Sequence, residues 1–295
     1  SLGEANQLVG LFIETGATVQ IRYSGIRNGF TRPFGDNDPE VAYTGPLAVL
    51  VNRTSASASE IFAGAIQDYQ RGIVLGGQTF GKGTVQEIIP MDYGQVKLTR
   101  SKFYRISGES TQHRGVIPDI AFPDFYDAYD DIGESSLDGA LPWDTVRPVE
   151  YRAYHPIQAA IPELKSLHEE RAKTSPDFNY LLGQIERTRE LREREEISLN
   201  EEVVKLERED ARKEEFEAEN MRRALKGLPL EEWVEDENTD DSSDSLASLD
   251  SEVIESEENE DESELNEDDP LILESGRILA DYINLNGRRV SSVNN

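Results

Sequence analysis

Cysteine is absent from all 295 residues, which excludes disulfides and thiolate metal sites while leaving the redox compartment open. Long apolar runs are also missing. None approaches the roughly 20 residues that a bilayer-spanning helix needs, so no membrane span is expected. No charged-then-apolar leader with a small-residue cleavage site opens the chain, and it starts at Ser1 rather than Met, which reads as a fragment or a processed product. Positive charge is scarce: 30 Lys and Arg stand against 59 Asp and Glu, a formal net charge of −29. Such a balance repels phosphate backbones and disfavours nucleic acid as a partner. Hydrophobic residues make up 37%, lean but enough for a real core.

The acidity is local. Residues 231–269 hold 20 Asp and Glu and no Lys or Arg, and removing them leaves a net charge of −9. With many Ser and Asn and few aromatics, this tract cannot bury enough apolar surface to offset its ordering entropy, so it reads as a disordered linker or insertion. After it, Leu271, Ile272, Leu273, Ile278, Leu279, Tyr282, Ile283 and Leu285 return to helical spacing and predict a helix that docks back on the body.

The first half alternates glycine-punctuated apolar runs with one clear helix. Residues 18–23 alternate like a strand, and residues 31–40, rich in Pro, Gly, Asp and Asn, read as a loop. Residues 47–51 form a continuous apolar run, the mark of a buried parallel strand. Ile61, Phe62, Ala65, Ile66 and Tyr69 then make one stripe of an amphipathic helix ending near Gly72. Ile73-Val74-Leu75 gives another buried strand, and residues 85–90 and 95–105 read as longer strands with no burial implied. Strand, helix, strand implies a right-handed crossover and an α/β layer. After Pro123 the chain becomes acidic and loop-like to Asp144, then helix-favouring over residues 163–226. Its apolar positions are too irregular for a heptad seam, which predicts a small helical domain rather than a long coiled coil. The expected organisation is an α/β core over residues 1–125, a helical domain over 126–230, the acidic tract over 231–269, and a helix and tail over 270–295.

Two stretches could carry chemistry. Thr54-Ser55-Ala56-Ser57-Ala58-Ser59-Glu60 lies at a strand-to-helix junction, where unpaired N–H groups and the positive end of the helix dipole could hold an oxyanion beside a serine hydroxyl. The same residues fit a capping box, with Ser57 and Glu60 satisfying orphan N–H groups reciprocally. Gly76-Gly77-Gln78-Thr79-Phe80-Gly81-Lys82-Gly83-Thr84 nearly spells a phosphate-binding loop. Gly83 stands where that loop needs a Ser or Thr hydroxyl, and a β-like run follows instead of a helix, which disfavours nucleotide binding. A lysine held between glycines beside Phe80 and Val85 could instead be partly buried and act as a general base. No G-x-S-x-G elbow is present, and His113, His155 and His168 show no metal-like spacing. Neither a metal nor a cofactor is expected.

Residues 51–69 and 79–86 together, extended by Ser110-Thr111-Gln112, Gly115-Val116-Ile117-Pro118-Asp119-Ile120 and Leu141-Pro142-Trp143-Asp144, closely resemble the C-terminal processing peptidases, in their tail-specific branch. The resemblance implies a crotonase-like α/β core of β-α-β layers followed by a mainly helical C-terminal domain. It implies Ser57 as nucleophile, Lys82 as base, Gln86 as the residue that orients the lysine, and the Ala58 N–H as one oxyanion donor. Relatives take a second donor from an N-G-G-G strip just before a segment like Ser1-Leu2-Gly3-Glu4-Ala5, and they carry a PDZ domain that binds substrate C-termini. Lacking both, this chain alone is expected to be feeble or inactive, since losing one oxyanion donor costs on the order of 10²- to 10³-fold in kcat. The implied function is a serine endopeptidase that degrades or trims proteins from or near unstructured C-termini, in the periplasm, with an adaptor protein as a further partner. The alternative is a non-catalytic interaction module built on the helical domain and the acidic tract, a tract for which the resemblance supplies no role.

Overall fold

The computed structural model describes residues 1–23, 30–129, 131–194, 196–233 and 269–293, with side chains to Asn286 in the last helix. In chain order, α1 (Leu2–Gly10) leads into β1 (Gly16–Tyr23) and β2 (Phe30–Asp36). Next come β3 (Ala48–Val51), α2 (Ala58–Asp68) and β4 (Ile73–Gly76), then β5 (Thr84–Pro90), β6 (Gln95–Tyr104) and the short β7 (Ile120–Ala121). Helices follow: α3 (Ile161–Thr174), α4 (Pro176–Arg192), α5 (Glu201–Lys226) and α6 (Pro270–Val293).

The strands form two sheets, one ordered β2-β1-β6-β5 and the other β3-β4-β7. β3 and β4 run parallel, from Ala48 opposite Ile73 to Val51 opposite Gly76, and α2 is the crossover between them, as the strand-helix-strand order predicts. The four-stranded sheet is antiparallel throughout.

α2 sits at the centre of the core because its apolar side chains serve three clusters. Ile61 packs with Ala5 of α1 and with Val19, Ile21 and Phe103 of the antiparallel sheet. Ala63 meets Val51, Val74 and Val116 of the parallel layer. Ala65 and Tyr69 join Val9, Ile13 and Ile106. Each large apolar side chain buried this way contributes about 1.5–3 kcal/mol, so the helix, and the residue that precedes it, are held from several sides.

Two expectations need correction. Residues 31–40 are not wholly loop: β2 occupies the edge of its sheet, where Pro33, opposite Gln20, costs no ladder bond that a central strand would need. Gly35 is required there, since a Cβ would lie 2.0 Å from Gly16 O across the strand pair. The run 47–51 does form a parallel strand, but it is an edge, so Leu50 is 43% exposed while the central β4 is buried along its length. The expected strands over residues 85–90 and 95–105 are present as β5 and β6, and from Gln86 through Arg100 they stand largely in solvent.

Ser1–Arg194 and the last helix from Glu274 belong to one compact unit, and α5 belongs to another. The expected return of the C-terminal helix is met in the first unit, where Ile278, Tyr282 and Leu285 are buried and Glu274 lies against His168 of α3. Of the acidic tract, residues 234–268 lie outside the described residues. Among the described residues, no helix is long and apolar enough to cross a membrane.

Candidate active site

β3 ends at Val51, and the chain must turn sharply to enter α2. Asn52 and Ser55 build that turn: the Asn52 side-chain oxygen accepts from the Thr54 hydroxyl at 2.9 Å and from Ser55 N–H at 3.1 Å, while the Ser55 hydroxyl accepts from Asn52 N–H at 3.1 Å. Ser57 follows as the helix N-cap, with φ +56° and ψ −106°. Positive φ in a residue with a Cβ is strained, costing on the order of 1–3 kcal/mol. This is the sharp strand-to-helix turn that presents nucleophiles in hydrolases, reached without the G-x-S-x-G motif. The next N–H, that of Ala58, has no hydrogen-bond partner among the described residues and lies at the positive end of the α2 dipole.

The capping-box spacing is realised, with its returning arm the full hydrogen bond: Ser57 N–H donates to Glu60 Oε2 at 2.8 Å. Glu60 does more than cap. It is fully buried, and Lys82 N–H donates to the same Oε2 at 2.9 Å. Its Oε1 accepts from Gly81 N–H at 2.7 Å and from the Thr79 hydroxyl at 2.6 Å. That hydroxyl in turn accepts from Val116 N–H at 2.7 Å. Burial pushes the Glu60 carboxyl up to about 7, against the opposing pull of its four hydrogen bonds.

Lys82 is half-buried, and among the described residues its amine makes no ion pair or hydrogen bond. The geometry therefore brings the Ser57 and Lys82 backbones to one carboxylate and leaves the Lys82 amine without a partner among the described residues. Gln86 lies apart, exposed on β5 beyond a register shift at Val85/Gln86, with no hydrogen bond to Lys82. Of the histidines, His113 gives its backbone N–H to Gly81 O at 2.9 Å, and His168 is buried with its Nδ1 3.0 Å from Glu274 Oε1. Among the described residues no group of three or more His, Asp or Glu is placed to hold a metal ion.

A cavity of about 450 Å³ opens at the other end of α2, lined by Gln67, Asp68, Arg105, Asp119, Trp143 and Tyr151 among others. Two of its carboxylates are taken: Asp68 pairs with Arg105, and Asp119 accepts from Val74 N–H at 2.8 Å and from Gln67 and Gln158.

The sequence singles out Ser57, Ala58 and Lys82 but does not show what holds their backbones. Glu60 was legible as a cap, whereas its bonds to Gly81, Lys82 and Thr79 join segments about 20 residues apart, where no periodic signal exists.

Comparison with known proteins agrees with this architecture. Residues 1–122 match peptidase family S41. The chain belongs to the tail-specific proteases, because the C-terminal domain of tail specific protease (DUF3340) matches residues 128–284, more than half of it. It is 40% identical over 247 residues to the tail-specific protease of Haemophilus influenzae, covering 77% of this chain and 35% of that protein. It is also 40% identical over 146 residues to the carboxy-terminal-processing protease of Bartonella bacilliformis, covering 48% of this chain and 33% of the relative. The chain thus spans about a third of the length of these relatives. Among solved structures, a photosystem II D1 C-terminal processing protease is similar at 33% identity, with TM-score 0.36 over 41% of this chain and 31% of that one.

Proposed function

We propose that this chain carries the nucleophile and base of a serine-type endopeptidase, with Ser57 and Lys82 in those roles and the Ala58 N–H as an oxyanion donor; Gln86, exposed and not bonded to Lys82, is given no orienting role. The observation that supports it most is the strained Ser57 at the head of α2, beside an unpartnered Ala58 N–H and tied through Glu60 to the Lys82 loop. Lys82 Nζ takes the Ser57 proton as Oγ attacks a peptide carbonyl. The Ala58 N–H stabilises the tetrahedral oxyanion, Lys82 then protonates the leaving amine, and water hydrolyses the acyl-enzyme. Residues 1–125 are assigned to the peptidase core and 126–230 to the helical C-terminal domain. Substrates are assigned as proteins with unstructured C-termini, and the compartment as the periplasm.

The test is cleavage of an unstructured polypeptide by the intact protein and by its Ser57→Ala and Lys82→Ala variants. Loss of turnover in both is expected, and undiminished cleavage by either overturns the assignment.

A further inference from the structure

The loop that carries Lys82 has little freedom left in its backbone. Thr79 N–H donates to Val116 O at 3.2 Å and Phe80 N–H to Ser55 O at 3.0 Å. Gly81 O accepts from His113 N–H at 2.9 Å and Gly83 O from Phe103 N–H at 2.9 Å. Glu60 takes the N–H groups of Gly81 and Lys82. One donor next to the lysine remains, Gly83 N–H, and it goes to the side-chain oxygen of Gln112 at 2.9 Å.

That bond fixes which way the Gln112 amide points. The residue is fully buried, so with Oε1 facing Gly83 its NH₂ must find an acceptor inside the protein. It finds Glu134 Oε1 at 2.7 Å. Glu134 holds the loop a second time, donating its own N–H to Phe80 O at 2.9 Å. The two contacts straddle Lys82, one directly at Phe80 and one through Gln112 at Gly83. The approach is tight: a Cβ on Gly83 would lie 2.7 Å from the Gln112 backbone nitrogen and 2.9 Å from its Cβ.

We infer that Gln112 and Glu134 are positioning residues for Lys82, a polar relay that keeps the lysine loop in register with Ser57. Glu134 lies in the part matched by the C-terminal domain, residues 128–284, and Lys82 in the part matched by the peptidase family, residues 1–122. The C-terminal domain therefore supplies one of the supports on which the proposed base rests. This inference depends on Lys82 being the base, and the experiment separates the two.

The experiment measures kcat, KM and Tm of the intact protein carrying Gln112→Glu, Glu134→Gln, both together, or Lys82→Ala. Gln112→Glu sets two carboxylates face to face, and kcat is expected to fall roughly tenfold or more with KM within about twofold, because small displacements of a catalytic group are costly. Glu134→Gln still offers an oxygen to the Gln112 NH₂ and should stay within about threefold of the parent. The double variant reverses the relay: the new carboxylate accepts from Gly83 N–H and from the new amide, and kcat should recover to within about threefold. Parental kcat in Gln112→Glu overturns the inference, as does a double variant with parental Tm that stays as slow as the single one. Should Gln112→Glu not fold, the double variant decides alone, by the same recovery or its absence. Undiminished turnover in Lys82→Ala sinks the base assignment itself, whereas an inactive Lys82→Ala beside an unimpaired Gln112→Glu sinks the relay alone.

Discussion

Ser57 and Lys82, 25 residues apart in the chain, meet on a single atom: their backbone N–H groups donate to the same Glu60 oxygen at 2.8 and 2.9 Å. The distance between a strained serine and a loop lysine is thereby referred to one buried carboxylate.

That carboxylate gives the site a pH dependence of its own. Protonated Glu60 must surrender at least one of its four hydrogen bonds, so kcat/KM is expected to drop as pH falls through about 7. Glu60→Gln should be slower at every pH, because its NH₂ faces N–H donors, and it should lack that step; pH–rate profiles of the two proteins check this. Stability runs the other way. The folded carboxyl keeps its proton to about 7 and the unfolded one releases it near 4.5, so this group's stabilisation is full below 4.5 and lost as pH rises through about 7.

Gly81 has φ +94°, and a Cβ there would lie 2.9 Å from the His113 carbonyl carbon. Gly81→Ala is expected to destabilise the protein by about 1–3 kcal/mol and to displace Lys82, lowering kcat. Denaturant melts and turnover measured together would show both effects.

Lys102 is buried, and Asp144 is its counter-charge; the same carboxylate takes Arg22 at 2.7 Å and the Tyr104 hydroxyl at 3.1 Å. The Lys102 ammonium keeps Pro142 O at 2.6 Å and Asp144 is 35% exposed, so Asp144→Ala should cost about 1.5–2 kcal/mol. Replacing both, as Lys102→Met with Asp144→Leu, should regain most of that loss in urea unfolding.

Glu274 anchors α6. His168 Nδ1 and Arg171 Nε lie 3.0 and 2.9 Å from its Oε1, and Arg171 Nη1 also holds Asp281 at 2.7 Å. Burial opposes the charge, but the hydrogen bonds from Arg171 and His168 outweigh it and hold the carboxyl below its ordinary range. Its stabilisation is therefore present at neutral pH and lost as pH falls through that lowered value. Glu274→Ala should cost about 3 kcal/mol and speed amide hydrogen exchange across residues 274–286.

Much of this architecture was legible locally. The Ile61, Ala65, Ile66 and Tyr69 stripe marked α2, the Ile73-Val74-Leu75 run marked β4, and the Ser57–Glu60 spacing marked the bond between them. What escaped depends on partners distant in sequence. Pro33 and Gly35 look like loop residues until β2 is known to be an edge, and the same ignorance made Leu50 look buried. Nothing in a serine announces positive φ, and nothing in Ser110-Thr111-Gln112 announces Glu134.

The left-handed backbone at Ser57 also bears on how the protein responds to selection. Glycine adopts φ +56° without penalty, so Ser57→Gly should melt higher than the parent while having no nucleophile. A library sorted only for heat resistance would enrich that dead variant, and only a screen that also demands turnover would retain the serine.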